Sequence, residues 1–333
     1  MVFTNIVKNI IENGGKIRPL IIHDIPDGTG LCNGSILNHD GKLFVNVRHV
    51  EYSFFYCKRF QSKFEGILSY YHPDDDLTLR TNNYLGELDP VTLEISHISK
   101  VDTNLFDKKP LWDFIGLEDA RIVNWDNKIN LVGVRRDTTT NGQGRMEFSE
   151  VSDKCIEINR IRIEVPDKSS YCEKNWMPIM DKPYHFVKWA NPTEVVEVSL
   201  IDKISKTIKI GARVDGLDFD LRGGSQIIRW DDNTYVGITH ECDFRPKDLN
   251  DFKDAYYRHR FVVWDNDFNF KLITEPFNFM GAGVEFCCGL TQLDDDIYIT
   301  FGFMDSSCYA LKISKSYLDK FIWNTLKPAF KST

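Results

Sequence analysis

Glu118 and Asp119 stand side by side in Gly116-Leu117-Glu118-Asp119-Ala120-Arg121-Ile122, which runs directly into Val123-Asn124-Trp125-Asp126-Asn127-Lys128. Two acids and an arginine thus fall among apolar residues, where a strand should enter a sheet interior. Burying charge is costly unless the charges are paired or used. Carboxylates so placed can accept hydrogen bonds from sugar hydroxyls or move a proton; alternatively Arg121 simply neutralises Glu118. Further polar residues end or begin strand-like runs elsewhere. They are Asn33 and Arg48; Arg135, Arg136 and Arg145; Lys174 and Asn175; Arg222, followed later by His240; and Glu285 and Asp305. Clustered Arg and Lys attract an oxyanion, arginine with bidentate geometry. A few carboxylates amid such cations, with aromatics nearby, suit glycosyl transfer to or from phosphate. Taken singly, each residue also has a plain structural reading: a bulge at Arg222-Gly223-Gly224-Ser225, a core histidine at His240, solvated charges at Arg135 and Arg136.

The elements that must gather these residues repeat along the chain. An acidic or Gly/Asn turn followed by an alternating strand occurs at 39–47, 125–133, 180–187, 230–238 and 294–301. Each reads as a hairpin turn feeding a strand of period two. Before four of the turns lies another strand-like run, at 35–37, 120–123, 226–229 and 289–293. Five such units predict an all-β fold, a five-bladed β-propeller in which radial repetition leaves few free sheet edges. Strand ends then meet around one axis, which would collect the polar residues in one pocket. Apolar positions Tyr317, Leu318, Phe321, Ile322 and Leu326 recur at helical spacing, predicting a packing helix over 314–328, and 4–12 predicts a shorter one. The expected organisation is a single domain over 1–333, with the propeller at 20–313.

Composition narrows the partners. The chain of 333 residues has a formal charge of −8, which argues against nucleic acid or an anionic membrane. Aromatics make up 13% of the residues, which favours strands and also supplies platforms for sugar rings. The eight cysteines (32, 57, 155, 172, 242, 287, 288, 308) show neither a CxxC pair nor metal-ligand spacing, so buried, reduced thiols, no metal and no cofactor are expected. His240-Glu241-Cys242-Asp243 does not make a metal site, because alternation sends neighbours to opposite faces. Gly281-Ala282-Gly283 has no following helix to make a dinucleotide site. With no signal-peptide pattern and no apolar run of membrane-spanning length, a cytoplasmic location is expected. Homo-oligomerisation is left open.

At these residues the chain resembles glycoside hydrolase family 130, five-bladed propellers that include β-mannoside phosphorylases. Gly116-Leu117-Glu118-Asp119-Ala120-Arg121-Ile122 is similar to the family's G-x-E-D-P-R-[IV] box, with Ala120 in place of Pro. The resemblance spans roughly residues 30–310 and implies Asp119 as general acid. In the family this residue relays its proton through a sugar hydroxyl while phosphate attacks the anomeric carbon with inversion, unlike the direct two-carboxylate scheme. Asn33 and Arg48 reproduce the family's mannose-pocket spacing, and Lys174 and Asp305 match its pocket Lys and Asp. Glu118, Asn175 and Glu285 join the expected sugar-binding set. The family's phosphate-binding arginines would fall on Arg135 or Arg136, and on Arg145, with Arg222 and His240 completing the donor side. The family's His-Arg-Pro phosphate segment is Trp189-Ala190-Asn191-Pro192 here. The resemblance therefore implies an inverting enzyme acting on β-mannoside-type bonds, by phosphorolysis or transfer, on sugar and phosphate or sugar-phosphate. The readings left beside it are a glycosyltransferase with a nucleotide-sugar donor, a β-mannosidase-type hydrolase and a non-catalytic glycan-binding propeller.

Overall fold

All five predicted turns join the inner strands of a blade in the computed structural model, which describes residues 4–55, 69–167, 169–217, 220–244, 255–324 and 326–328. Blade one runs Gly30–His39, Lys42–Val50, Leu79–Leu88 and Ile95–Lys100, each strand antiparallel to the last. Blade two runs Leu117–Trp125, Lys128–Arg135, Arg145–Val151 and Glu157–Arg162, and blade three Met177–Pro178, His185–Ala190, Thr193–Ser199 and Ile204–Ile210. In blade four the inner strand is split into Arg222–Gly223 and Ile228–Arg229, both on Thr234–Phe244, followed by Ala255–Asp265 and Phe270–Thr274. Blade five consists of Glu285–Leu293, Asp296–Phe303 and Ser307–Ser314, and its outermost strand is Lys16–Pro19 from near the start of the chain. The N-terminal segment therefore closes the ring, which places Lys16–Pro19 within the propeller. Among the described residues the helices are α1 (Ile6–Glu12), capped by Asn5, whose Oδ1 accepts from Lys8 N at 3.0 Å, and α2 (Lys315–Asn324), which is shorter than the expected 314–328 because Leu326–Pro328 pairs as a strand with Phe270–Thr274.

The turn chemistry explains why the repeat was visible. Asp40 and Gly41 turn with φ of 51° and 78°, and Asp126 and Asn127 with 54° and 59°. Two successive left-handed residues make the hairpin turn that matches strand twist, and Gly, Asn and Asp tolerate it best. Alternation along each strand then sends one face into the gaps between blades. Trp125, Phe148 and Phe186 close the gap between blades two and three, with the Trp125 and Phe186 rings 5.4 Å apart edge to face. Trp264 packs with Met177 and Val187 between blades three and four. Much of the aromatic content is thus core. Of the cysteines, Cys32, Cys287, Cys288 and Cys308 are buried, Cys155, Cys172 and Cys242 half-buried, and Cys57 lies outside the described residues.

At the axis, polar side chains stitch the inner strands together. Gln226, wholly buried, donates to Ile36 O (2.7 Å) and Ile122 O (3.2 Å) and accepts from Leu290 N (3.0 Å). One side chain of blade four so bridges blades one, two and five. Ser35 Oγ donates to Ala120 O at 2.8 Å and accepts from Ile122 N at 2.9 Å, while Thr300 Oγ1 donates to Gly34 O at 2.6 Å. A Gln226→Ala variant leaves three buried backbone groups without partners. It is expected to lose at least about 2 kcal/mol, read as a lower urea midpoint; an unchanged midpoint would show that the bridge contributes nothing.

Candidate functional site

The inner strands of blades one and two are each broken by a bulge, between Cys32 and Ser35 and between Glu118 and Arg121. A bulge inserts a residue and re-aims its side chain. Here the inserted segments hold Asn33 and Asp119, with φ of 44° and 48°. Asn175 and Asp305 share that left-handed conformation, at 61° and 44°. Asn and Asp are the side-chain-bearing residues that visit it most readily, and such strain clusters at functional sites. Room for Asn33 comes from Gly302, where a Cβ would lie 2.1 Å from Asn33 Oδ1.

The two bulges bring three predicted residues together. Asn33 Nδ2 donates to Asp119 Oδ1 at 2.8 Å, and Arg48 donates to the same oxygen at 2.8 Å. Arg48, itself buried, is held by Thr81 Oγ1 at 3.1 Å. Burial pushes the Asp119 carboxyl up, but Arg48, Arg121, Lys174 and the Asn33 hydrogen bond together hold it below the usual carboxylate range. Asp305 behaves oppositely. Burial, with the nearby Asp119 and Glu118 charges, outweighs Arg48 and Lys174 and pushes it up to about 6. The exposed Lys174 thus faces both acids. His240 stacks on Tyr257 (5.6 Å) and meets Phe286 edge-on (4.7 Å). Burial first, then His259, Arg222, Arg121 and Lys174, drives its pKa well down, so the imidazole is neutral. Its register partner is Arg222, which lies 3.9 Å from Asp220. Asn175 Oδ1 is buried without a hydrogen-bond partner among the described residues.

Several expectations need correction. Arg121 does not neutralise Glu118; its guanidinium donates to Gly224 O (3.0 and 2.7 Å) and to Asp119 O (2.6 Å), and lies 5.6 Å over the Phe286 ring. Glu285 is buried with both oxygens taken by the amides of Phe279, Met280 and Ala282 at 2.6, 2.8 and 3.0 Å, so it shapes a loop and binds no sugar. Arg135 is buried against Asp137 (3.2 Å) and Glu147 (2.9 Å). Arg145, equally buried, donates to Gly144 O (2.8 Å) and Ser170 O (2.9 Å), with Glu164 at 3.4 Å. Neither arginine can serve an anion without breaking those contacts. Arg136 is half-buried, donating to Gly142 O and Tyr171 Oη at 3.0 Å each, with its guanidinium 4.6 Å over Phe114.

The sequence reading missed Tyr52, Tyr70 and Tyr257. Burial raises the pKa of all three, and each also feels the charge of Asp305. Tyr52 directly precedes, and Tyr70 belongs to, the antiparallel strand pair Ser53–Phe55/Ser69–Tyr71, an insertion in blade one with no counterpart in the five-fold repeat that would have flagged it. These residues together offer an ionised carboxylate fixed by Asn33 and Arg48, a second carboxyl of high proton affinity, cations at Lys174 and Arg222, a neutral imidazole and phenol rings. Such a set can hydrogen-bond a polyol, hold an anion and move a proton.

Because the folded protein binds the Asp305 proton more tightly than the unfolded chain does, stability is fully present below the ordinary carboxylate range and is lost as pH rises through about 6. Asp305→Asn is accordingly expected to raise the melting temperature relative to the parent at pH 7.5 more than at pH 4. An equal difference at both pH values, by calorimetry, would contradict the assigned burial.

No family model and no curated protein matches the chain. Solved structures do. β-1,2-Mannobiose phosphorylase from Listeria innocua aligns with a TM-score of 0.55 at 15% identity, over 92% of this chain and 97% of that one. A mannose phosphorylase from Leishmania mexicana aligns at 0.51 and 13% identity, over 94% and 93%. A member of the family 130 mannoside phosphorylases, a group reported to contain hydrolases of β-1,2-mannosidic linkages in Candida mannan, aligns at 0.53 and 14% identity, over 85% and 84%. The chain has the five-bladed propeller fold of these proteins.

Proposed function

We propose that this propeller is an inverting carbohydrate-active enzyme of β-mannosides that exchanges a mannosyl group between a sugar and phosphate, with Asp119 as general acid/base. The observation that carries the reading is the Asn33–Asp119–Arg48 cluster, built on two bulged inner strands at one end of the channel. Its occurrence in the fold of mannoside phosphorylases supports the substrate class. In phosphorolysis a phosphate oxygen forms the bond to the anomeric carbon as the glycosidic C–O bond breaks. The leaving oxygen takes a proton from a sugar hydroxyl, which Asp119 replenishes. In synthesis the ionised Asp119 takes the acceptor's proton by the same route, and phosphate departs.

Asn33, Arg48, Glu118, Asn175 and Asp305 are assigned to the sugar, and Lys174, Arg222 and His240, with Arg136 at the rim, to the anion. A neutral His240 can donate one N–H to a phosphate oxygen without adding charge. The assay incubates the protein with β-1,2-mannobiose and phosphate, and in the reverse direction with mannose 1-phosphate and mannose. Release of mannose 1-phosphate in the first direction and of phosphate in the second is the expected result. Consumption of GDP-mannose instead, or release of mannose without phosphate, would assign the donor differently. Asp119→Asn should lower turnover by about 10²–10⁴-fold. Unchanged turnover would remove Asp119 from the chemistry.

A further inference from the structure

Blade two carries a second cluster of buried charge, beside the segment that leads to Asp119. Arg135 contacts Asp137 Oδ2 at 3.2 Å and Glu147 Oε2 at 2.9 Å, and the other Glu147 oxygen lies 3.4 Å from Arg162. Arg162 also donates to Arg135 O at 3.3 Å. Arg135, Asp137 and Glu147 are 5%, 8% and 2% exposed. A salt-bridge cluster buried this deeply is a poor route to stability, because desolvation offsets much of the attraction and apolar side chains would serve as well. It lines a cavity of about 520 Å³ between blades one and two, whose wall continues to Gly116 and Leu117. Arg162 turns outward, donating to Gln143 O at 3.0 Å with Glu164 at 3.5 Å, whereas Asp137 Oδ2 accepts the Gly116 N–H at 3.0 Å.

Gly116 begins the segment that ends in the Asp119 bulge. Its φ is 95°, and a Cβ there would lie 2.3 Å from Thr81 O, so the backbone is both left-handed and pressed against blade one. The rest of the segment is tethered by neutral or cationic donors on its carbonyls. Asn83 Nδ2 donates to Leu117 O at 3.0 Å, Arg121 to Asp119 O at 2.6 Å and Asn46 Nδ2 to Ala120 O at 3.1 Å. Asp137 supplies the opposite kind of tether, an acceptor for an amide at the start of the segment.

We propose that Asp137, held by Arg135, which also contacts Glu147, is a positioning residue for Asp119: it anchors the Gly116 amide so that the bulge delivers the Asp119 carboxylate to Asn33 and Arg48. This rests on the reading of Asp119 as the reacting carboxylate. That role accounts for the burial of Asp137, Glu147 and Arg135, with the half-buried Arg162 beside them.

The test compares Asp137→Ala with Asp137→Asn by amide hydrogen exchange over residues 114–122, urea unfolding and turnover of β-1,2-mannobiose with phosphate. Asp137→Ala removes the acceptor, and exchange at Gly116 should rise by about tenfold or more. Turnover number should fall by about 10²-fold with a smaller change in KM, the mark of a misplaced reacting group. Asp137→Asn keeps an oxygen for the Gly116 amide but leaves Arg135 short of a counter-charge. It should therefore unfold at lower urea than the parent while retaining slow exchange at Gly116 and turnover within about threefold. Asparagine losing activity together with stability, or alanine leaving Gly116 exchange unchanged, overturns the proposal. An inactive parent, or a fully active Asp119→Asn, overturns the function reading alone; the exchange experiment still decides the role of Asp137.

Discussion

A propeller's inner strands face an axis with no further strand to pair with, and buried backbone groups must nonetheless find partners. This chain meets the constraint with side chains. Gln226 joins the inner strands of four blades, Ser35 and Asn46 reach the Ala120 carbonyl, and Arg121 reaches across to the Gly224 carbonyl. The same contacts tie the strand that carries Asp119 to its neighbours. Arg121 belongs to both functions, because one of its nitrogens holds the Asp119 carbonyl while its charge lowers the Asp119 carboxyl. Axis closure and site geometry are thus one network.

That network lets backbone strain persist. Four pocket residues, Asn33, Asp119, Asn175 and Asp305, hold left-handed dihedrals, and each sits at a bulge, a strand start or a strand end. Strained residues persist only where their surroundings over-determine them. The carbonyl tethers on Leu117, Asp119 and Ala120, together with the Gly302 cradle for Asn33, supply that excess of constraint. Short polar side chains on such backbones have few rotamers to lose, so they present hydrogen-bonding groups to a ligand already oriented.

The fold was legible because hairpin turns have local chemistry. Asp40-Gly41 and Asp126-Asn127 declare left-handed turns, and alternation declares the strands on either side. The closing strand Lys16–Pro19 was not legible, since its pairing with Ser307–Ser314 is set by ring closure across almost the whole chain. At the site, type and position singled out Asn33, Arg48, Asp119 and Asp305, yet partner choice was invisible. Arg135 and Arg145 look in sequence like anion ligands. Their fate depended on Glu147 and the Ser170 carbonyl, which only the fold brings near, and on the turn of the backbone toward their chain neighbours Asp137 and Gly144. Glu285 failed for a related reason: its acceptors are consumed by the amides of the loop three to six residues before it. Sequence reveals where charge is placed, whereas tertiary contact decides whether that charge is already spoken for.

The distribution of that charge bears on the chemistry. Arg48 contacts Asp119 directly, and its attraction, with Arg121, Lys174 and Asn33, exceeds the effect of burial there. At Asp305 the balance reverses, partly because the ionised Asp119 and Glu118 repel a further negative charge. Two carboxyl groups in one pocket are thereby driven apart in proton affinity, the arrangement from which distinct acid and base roles arise. Of the two, Asp305 is the carboxyl that takes up a proton first on acidification, whereas Asp119 stays ionised because its cations and the Asn33 hydrogen bond outweigh its burial.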